Sequence, residues 1–184
     1  MTDSKPEVIA SPRLDLIPVP VELYCALIEE DWGRATELTG LEGMSRWEGH
    51  SRFLKMRLKQ LEEDPSLGEW LARLVVLRDT GEFIGRIGFH SGPEPEYLRE
   101  IGLEGVEFGY TIFEPYQRRG YAKEAAAALM QWARDARNVS SFVLSIAPDN
   151  EPSVALAKGM GFRKVSSHVD EVDGPEDIYA LRYL

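Results

Sequence analysis

The alternation of hydrophobic and polar residues along the chain predicts a series of short β-strands. Leu14 and Leu16 face one way while Asp15 and Ile17 face the other, which predicts an edge strand that stops at Pro18. The other predicted strands are rich in β-branched and aromatic residues. They cover residues 70–78, 82–90, 106–113, 142–147, 162–170 and 177–183.

Turn sequences and helical spacing complete the predicted elements. Residues 79–81 read Asp-Thr-Gly and join two strands in a hairpin, and a closing hairpin is predicted around Asp173 and Gly174. Hydrophobic residues recur at helical spacing in four other segments. These are residues 21–38, which fit one broken helix or two short ones, and residues 47–63, 120–136 and 150–159.

The order of these elements predicts an α+β fold in a single domain. Strands and helices are mixed along residues 13–184, whereas the polar, proline-containing residues 1–12 are expected to form a flexible lead-in. Ala125, Leu129 and Trp132 form a stripe on the long helix and are expected in the core.

The composition excludes several classes of protein. The 184 residues are 43% hydrophobic and 28% charged, as in an ordinary soluble globular domain. A net charge of −10 argues against broad binding to nucleic acid, and no apolar run is long enough to cross a bilayer. The N-terminal residues lack the apolar segment of a secretory signal, so we expect a cytoplasmic protein. The single Cys25 lacks neighbouring metal ligands, so we expect no metal site and a buried thiol.

The most informative segment lies between a predicted strand and the start of the long helix. Residues 117–122 read Gln-Arg-Arg-Gly-Tyr-Ala. Gly120 lets the backbone turn tightly or approach a ligand, and the unpaired N–H groups at a helix start attract a phosphate. Arg118 and Arg119 add positive charge to an acidic chain. The spacing matches neither a Walker motif nor GxGxxG, and the alternative is a plain helix entrance with two solvated arginines.

Residues on both sides of this segment strengthen the binding interpretation. A strand with an internal glycine precedes it, and a second block of helix-start and turn residues follows. The residues concerned are Glu107, Gly109 and Tyr110, then Gln117, Gly120 and Ala122, then Asn150, Ser153, Gly161 and Phe162. Their combination resembles the GNAT superfamily of acyl-CoA N-acyltransferases, and more narrowly its branch of ribosomal-protein N-terminal acetyltransferases. The resemblance covers about residues 70–184, and the N-terminal part also fits.

The resemblance implies a fold, a cofactor and a reaction. The fold is a mixed, mostly antiparallel central sheet with flanking helices in three layers. Acetyl-CoA is the acyl donor, no metal takes part, and a primary amine attacks the thioester directly. Coenzyme A is expected between residues 106–113 and residues 142–147, with its pyrophosphate on the glycine loop. The expected cofactor-binding residues are Thr111, Ile112, Phe113, Gln117, Arg118, Arg119, Gly120, Tyr121, Ala122 and Asn150.

Three side chains are candidates for proton transfer. Glu107 is the first choice of general base, with a solvated strand carboxylate as the alternative. His90, at the end of the preceding strand, is the competing base or else a capping or packing histidine. Ser153 matches the serine proposed as acid in this branch, or else bonds locally in the first helical turn. Ala157 stands where many relatives place a tyrosine, so water is an alternative proton donor to the thiolate.

One backbone feature completes the expected site. A bulge at Gly109 is expected to free a backbone N–H near Tyr110 or Thr111, because a regular strand would use that group in its ladder. The freed N–H would then stabilise the oxyanion that forms when the amine attacks.

The acceptor is expected to be a cationic amine. Residues 91–105, with four glutamates, and the helical region at residues 21–63 are expected to form its walls. Their acidic excess suits a protein or peptide N-terminus or a small cationic amine. Trp32, Trp47 and Trp70 fit either this pocket or the core, with the core favoured.

The missing helix tyrosine also suggests an alternative function that is not enzymatic. It is a catalytically silent acyl-CoA-binding regulatory or interaction domain, which would keep the cofactor cleft without turnover. A homodimer is left open by the sequence.

Overall fold

A computed structural model describes residues 7–170 and 174–183 of the chain. Within these residues, eight strands and six α-helices form a mixed, mostly antiparallel sheet with flanking helices, which confirms the predicted fold class. The strands are β1 (Ile9–Ala10), β2 (Leu14–Pro18), β3 (Arg73–Leu77), β4 (Phe83–Phe89), β5 (Val106–Ile112), β6 (Ser141–Ile146), β7 (Arg163–Asp170) and β8 (Gly174–Arg182). The α-helices are α1 (Val21–Ile28), α2 (Trp32–Thr39), α3 (Ser51–Glu63), α4 (Glu96–Glu100), α5 (Tyr121–Arg137) and α6 (Glu151–Gly159).

The strands follow the order β1-β2-β3-β4-β5-β6-β8-β7 across the sheet. β5 and β6 pair in parallel through Val106 with Phe142 and Glu107 with Val143. A parallel pair needs a long crossover connection, and α5 provides it. The pairs β1–β2, β2–β3, β3–β4, β6–β8 and β7–β8 are antiparallel.

The chain divides into two compact units, each with its own buried residues. The first unit comprises the described residues of Met1–Gly88 and Tyr110–Ala128, and the second those of Phe89–Gly109 and Leu129–Leu184. In the first unit, Tyr24 and Phe83 belong to a core built from α1, α2, α3 and the strands β3 and β4. In the second unit, the Phe108 ring lies edge-on to Phe89 and to Phe162, with centroids 6.2 Å apart in both pairs. This packing buries apolar surface in each unit separately.

The N-terminal segment is more ordered than the sequence predicts. The strand predicted at residues 14–18 is confirmed as β2, but it is not an edge strand, because β1 pairs with it through Ile9 and Leu16. The hydroxyl of Ser11 donates to Glu124 Oε1 over 2.8 Å and holds this segment in place. The structure therefore differs from the expected lead-in at residues 9–12, while residues 1–6 lie outside the described part of the chain.

The two short helices allowed by residues 21–38 are α1 and α2. Asp31 separates them and caps α2, since its carboxylate accepts from the Arg34 N–H over 2.9 Å. The helix predicted from residue 47 begins later, at Ser51, because residues Met44–Trp47 form a 3₁₀-helix instead. Arg57 on α3 is buried.

The remaining predicted elements agree with the structure except in two places. The hairpin at residues 79–81 is confirmed, with Gly81 in the left-handed region at φ +72°. The segment at residues 91–105 is not loop throughout, because it contains α4. The closing hairpin of β7 and β8 is present, although Asp173 of its predicted turn lies outside the described residues.

Burial confirms one core prediction and corrects another. Ala125, Leu129 and Trp132 on α5 are buried, as their helical stripe predicts. Cys25 is exposed, because α1 turns its neighbours Tyr24 and Ala26 inward instead.

Gly85 on β4 has no room for a side chain. A Cβ atom there would collide with the carbonyl oxygen of Thr111 and lie 3.0 Å from the Cα of Ile112. Both contacts are with backbone, so a strand would have to move. We expect Gly85→Ala to lower the free energy of unfolding by about 1–3 kcal/mol, measured by urea denaturation followed by tryptophan fluorescence.

Gly33→Ala is the matched control for this substitution. Its Cβ would lie 3.5 Å from Asp31 Oδ1, an ordinary contact, and alanine is the better helix former within α2. We expect Gly33→Ala to leave the stability unchanged or raise it. An equal loss of stability in the two alanine variants would contradict the steric explanation for Gly85.

Candidate active site

The glycine loop of the first unit has a backbone suited to an anion. Arg118 and Gly120 both lie in the left-handed region, at φ +60° and +83°. Within residues 7–170 and 174–183, no acceptor takes a hydrogen bond from the N–H groups of Arg118, Arg119 or Gly120. The first turn of α5 follows at once and adds the unpaired N–H groups of a helix start. Such a row of N–H groups, backed by a helix dipole, attracts phosphate.

The loop is held by a residue that the sequence did not point to, Arg13. Its Nη1 donates to the carbonyl oxygen of Arg119 over 3.1 Å, and its guanidinium lies 4.5 Å from the centroid of the Tyr121 ring. Glu124 in the first turn of α5 binds Arg13 Nε over 2.6 Å. Burial raises the pKa of Glu124, but the hydrogen bonds from Ser11 and Arg13 outweigh burial and lower it. The carboxylate is therefore charged and clamps the loop to the N-terminal segment.

The predicted cofactor residues beside the loop have distinct environments. The side chains of Arg118 and Arg119 are exposed. The Nε2 of Gln117 donates to the carbonyl oxygen of Ile112 over 2.8 Å, so this side chain braces the loop against β5. The N–H of Phe113 donates to the carbonyl oxygen of Ile84 over 2.9 Å and is used within the first unit.

In the second unit, His90 and Glu107 lie side by side. The backbone N–H of His90 donates to the Glu107 carbonyl oxygen over 2.8 Å, and His90 Nδ1 lies 3.5 Å from Glu107 Oε2. The Glu107 side chain is 7% exposed and the His90 side chain 39%. The structure therefore brings together the two residues that the sequence offered as competing bases.

Five influences set the ionisation of Glu107. Burial raises its pKa, but hydrogen bonds from His90, Ser145 and Tyr97 and the charge of His90 lower it to about 2. A carboxylate with so low a pKa is a weak proton acceptor, because a good general base titrates near the working pH. Glu107 is better suited to hold and orient the imidazole. With Nδ1–H directed at Glu107, His90 Nε2 is left as the proton acceptor.

Gly109 lies on β5 beside the His90 side chain. β5 pairs with β6 through Val106 and Glu107. The expected bulge at Gly109 and the backbone N–H that it would free stay predictions. A Cβ on Gly109 would lie 2.9 Å from His90 Nε2. The glycine therefore makes room for the imidazole.

The second block of the resemblance forms the start of α6. Asn150 is its N-cap, since the side-chain oxygen accepts from the Ser153 N–H over 3.2 Å. The Ser153 side chain is partly exposed, whereas Ala157 is fully buried. The position where many relatives place a tyrosine therefore offers no hydroxyl.

The acidic segment at residues 91–105 is partly committed to the fold. Glu94 accepts from the N–H of Gly105 over 2.7 Å, and Glu104 lies 3.5 Å from Arg182. These two carboxylates are less available to a cationic acceptor than the composition implied. Tyr97, on α4, bonds Glu107 instead.

No helix in the described part of the chain is long and apolar enough to cross a membrane. Among residues 7–170 and 174–183, no group of three or more His, Cys, Asp or Glu side chains could hold a metal ion.

Comparison with known families identifies the class of protein. Residues 19–163 match the family described as the acetyltransferase (GNAT) domain. This match covers well over half of the chain, which therefore belongs to the GNAT acetyltransferase family.

Individual relatives agree with this assignment. The chain is 31% identical to the uncharacterized N-acetyltransferase YnaD of Bacillus subtilis, over 49% of this chain and 48% of that protein. The chain spans about half the length of the first two curated relatives that it matches. Among solved structures, a GNAT-family acetyltransferase from Bordetella pertussis gives a TM-score of 0.68 at 20% identity and covers 95% of this chain and 98% of its own.

A second solved structure of similar fold is the ribosomal L7/L12 alpha-N-protein acetyltransferase in complex with coenzyme A, with a TM-score of 0.63 at 19% identity. The alignment covers 96% of this chain and 98% of that chain. At this identity the likeness shows the fold alone.

The low pKa of Glu107 makes stability depend on pH in a defined window. The folded state holds the carboxyl pKa at about 2 against an ordinary value of 4.5, so the stabilisation is complete above about pH 4.5. It is lost as the pH falls toward about 2. We expect a loss on the order of 3 kcal/mol over this window, absent from Glu107→Gln, in urea unfolding curves recorded at a series of pH values.

Glu37 provides the control, because its side chain is 71% exposed and forms an ion pair with Arg34 at the surface. Glu37→Gln should keep the wild-type pH dependence. A Glu107→Gln protein whose stability falls with pH as steeply as the wild type would contradict the assigned pKa.

Proposed function

We propose that this chain is an acetyl-CoA-dependent N-acetyltransferase that transfers an acetyl group to a primary amine. The observation that carries the proposal is the row of N–H groups at Arg118, Arg119 and Gly120, beside two exposed guanidinium groups. This arrangement suits the pyrophosphate of coenzyme A. Relatives of similar fold support it, since one contains coenzyme A and another, the microcin C7 self-immunity acetyltransferase (TM-score 0.60), contains acetyl-CoA and AMP.

The cofactor would be held mainly by backbone. The N–H groups from Arg118 to Ala122 would bind the pyrophosphate, with both arginine side chains adding charge. Gln117 would fix the loop through Ile112, and the backbone of Thr111 to Phe113 would run along the pantetheine. Asn150 would act through the start of α6, since its side chain is committed to the cap.

His90 would be the general base, with Glu107 as its positioning residue. The amine nitrogen attacks the thioester carbonyl carbon, its proton passes to His90 Nε2, and the carbon–sulfur bond breaks. Glu107 stabilises the imidazolium that forms, as a buried carboxylate does beside a catalytic histidine. Ser153 is the candidate acid for the departing thiolate, and water is the alternative.

His90→Gln is the sharpest test of this assignment. We expect kcat to fall by about 10²- to 10³-fold, because general-base catalysis is lost, while the affinity for coenzyme A is unchanged. The measurement is thiol release from acetyl-CoA with a panel of amines, together with calorimetry of coenzyme A binding.

His168→Gln is the matched control, since His168 lies on β7 beside Glu176 at 3.6 Å. It should leave both quantities unchanged. Equal kcat values in the wild type and His90→Gln would remove His90 from the mechanism. Tight coenzyme A binding without thiol release from any amine would instead favour the silent acyl-CoA-binding domain.

The role of Arg118 and Arg119 can be tested by measuring coenzyme A binding, without an activity assay. We expect the double variant Arg118→Gln, Arg119→Gln to bind coenzyme A about tenfold more weakly and with a shallower dependence on salt, because charge-assisted contacts to phosphate are lost. Isothermal titration calorimetry at low and high ionic strength measures both effects. Arg34→Gln, at an exposed ion pair, is the control. An unchanged affinity in the double variant would place the pyrophosphate elsewhere.

A further inference from the structure

The guanidinium group of Arg13 is fully engaged within the first unit. Its Nε and its Nη2 each lie 2.6 Å from Glu124 Oε2, and its Nη1 donates to the carbonyl oxygen of Arg119 over 3.1 Å. All three nitrogens therefore bind groups of the chain itself, and Glu124 balances their charge. Arg13 is placed to hold the glycine loop, while the loop keeps its own N–H groups for a phosphate.

The backbone that carries Arg13 is fixed on both sides. The N–H of Arg13 donates to Glu124 Oε1 over 2.8 Å, and its carbonyl oxygen accepts from the N–H of Arg78 over 2.9 Å. β2 begins at the next residue, where Leu14 lies opposite Leu77 of β3. The guanidinium therefore reaches the loop from a rigid part of the sheet.

The carbonyl group that Arg13 binds lies between two residues in the left-handed region. These are Arg118 at φ +60° and Gly120 at φ +83°. A residue with a side chain, such as Arg118, keeps this conformation only where its surroundings hold it. A Cβ atom built on Gly120 would lie 3.5 Å from Arg13 Nη2, so the guanidinium lies directly against this turn. Arg13 therefore supports the loop at the point where its backbone is least favourable.

The planarity of the peptide bond turns this support into a direction for a donor. The peptide unit between Arg119 and Gly120 is trans, so its C=O and its N–H point in opposite directions. Because Arg13 binds the Arg119 oxygen, the Gly120 N–H is directed away from Arg13. That N–H has no acceptor within the described part of the chain. Arg13 thus orients a donor that the described residues do not use.

The pairing of Arg13 with Glu124 has a second effect on the loop. Glu124 lies in the first turn of α5, and a carboxylate there would repel a phosphate bound at the start of that helix. Two nitrogens of Arg13 compensate this charge, and the Ser11 hydroxyl donates to its other oxygen over 2.8 Å. Loss of Arg13 would leave the carboxylate uncompensated beside the loop.

We propose that Arg13 is a positioning residue for the cofactor, which directs the Gly120 N–H at the pyrophosphate by holding the Arg119 carbonyl group. Neutralisation of Glu124 adds to the effect. This inference rests on the proposed N-acetyltransferase function. It makes the affinity for coenzyme A depend on a contact between residues 106 positions apart in the chain.

The test compares two acyl donors, acetyl-CoA and S-acetylpantetheine, of which the second lacks the pyrophosphate. We expect Arg13→Gln to lower kcat/KM for acetyl-CoA by about tenfold or more, through KM and with kcat unchanged, because a ground-state contact to phosphate is weakened. The value for S-acetylpantetheine should not change. Thiol release with one common amine measures both donors, and an unchanged kcat also shows that the variant is folded.

Arg78→Gln is the matched control, because the two arginines are equally exposed and bind the same N-terminal segment. Their side chains are 48% and 49% exposed. Arg78 Nη1 donates to the carbonyl oxygen of Ser11 over 3.0 Å, and its Nε lies 3.2 Å from Asp15 Oδ1. Arg78→Gln should keep the wild-type kcat/KM with both donors.

Two further variants separate direction from charge. Arg13→Lys keeps the charge but not the planar fork that reaches Glu124 and Arg119 together, so an intermediate KM for acetyl-CoA is expected. The double variant Arg13→Gln, Glu124→Gln removes the repulsive carboxylate and should recover only part of the lost affinity. Full recovery in the double variant would overturn the directing role.

The outcomes separate this proposal from the one on which it rests. An unchanged KM for acetyl-CoA in Arg13→Gln, or an equal loss with both donors, overturns the positioning role and leaves the N-acetyltransferase intact. If no amine releases thiol, the proposed function fails, and calorimetry with inorganic pyrophosphate decides on Arg13. Pyrophosphate binding that weakens about tenfold in Arg13→Gln but not in Arg78→Gln then supports the role. Equal binding by Arg13→Gln and the wild type, or no binding by the wild type, overturns it.

Discussion

The buried carboxylate of Glu107 is the constraint on which the second unit depends. A charge at this depth is tolerated only because donors from three separate elements reach it: His90 after β4, Tyr97 on α4 and Ser145 on β6. Each donor thereby acquires a fixed position. The same interaction that satisfies the carboxylate also orients the imidazole, so that folding and the arrangement of the proposed base have a common cause.

The first unit has a comparable constraint, in which unpaired backbone N–H donors take the place of the buried carboxylate. Its glycine loop must keep several N–H groups unpaired, which is costly unless the rest of the loop is held rigidly. Arg13 and Gln117 provide that support by binding the carbonyl oxygens of Arg119 and Ile112. Unpaired donors in the loop thus coexist with satisfied acceptors.

Local sequence signals predicted the elements and the loop, because they depend on neighbouring residues. Gly120 before an Ala-rich helix and Asn150 as an N-cap are readable over a few positions. The clamp of Arg13 on Glu124 joins distant parts of the chain and left no local pattern. A glycine within a strand indicates either a bulge or a close approach of another group, and only the structure shows that the His90 imidazole lies next to Gly109.

The Arg13–Glu124 contact also bears on the order of events during synthesis. Its partners are 111 residues apart, so the loop is completed only after most of the first unit and the start of α5 exist. Contacts so distant in sequence form late, because the intervening chain must first lose its entropy. A nascent chain on the ribosome would therefore have every strand up to β5 before its anion loop gained this support. Newly made chains would remain without a braced loop until α5 had emerged.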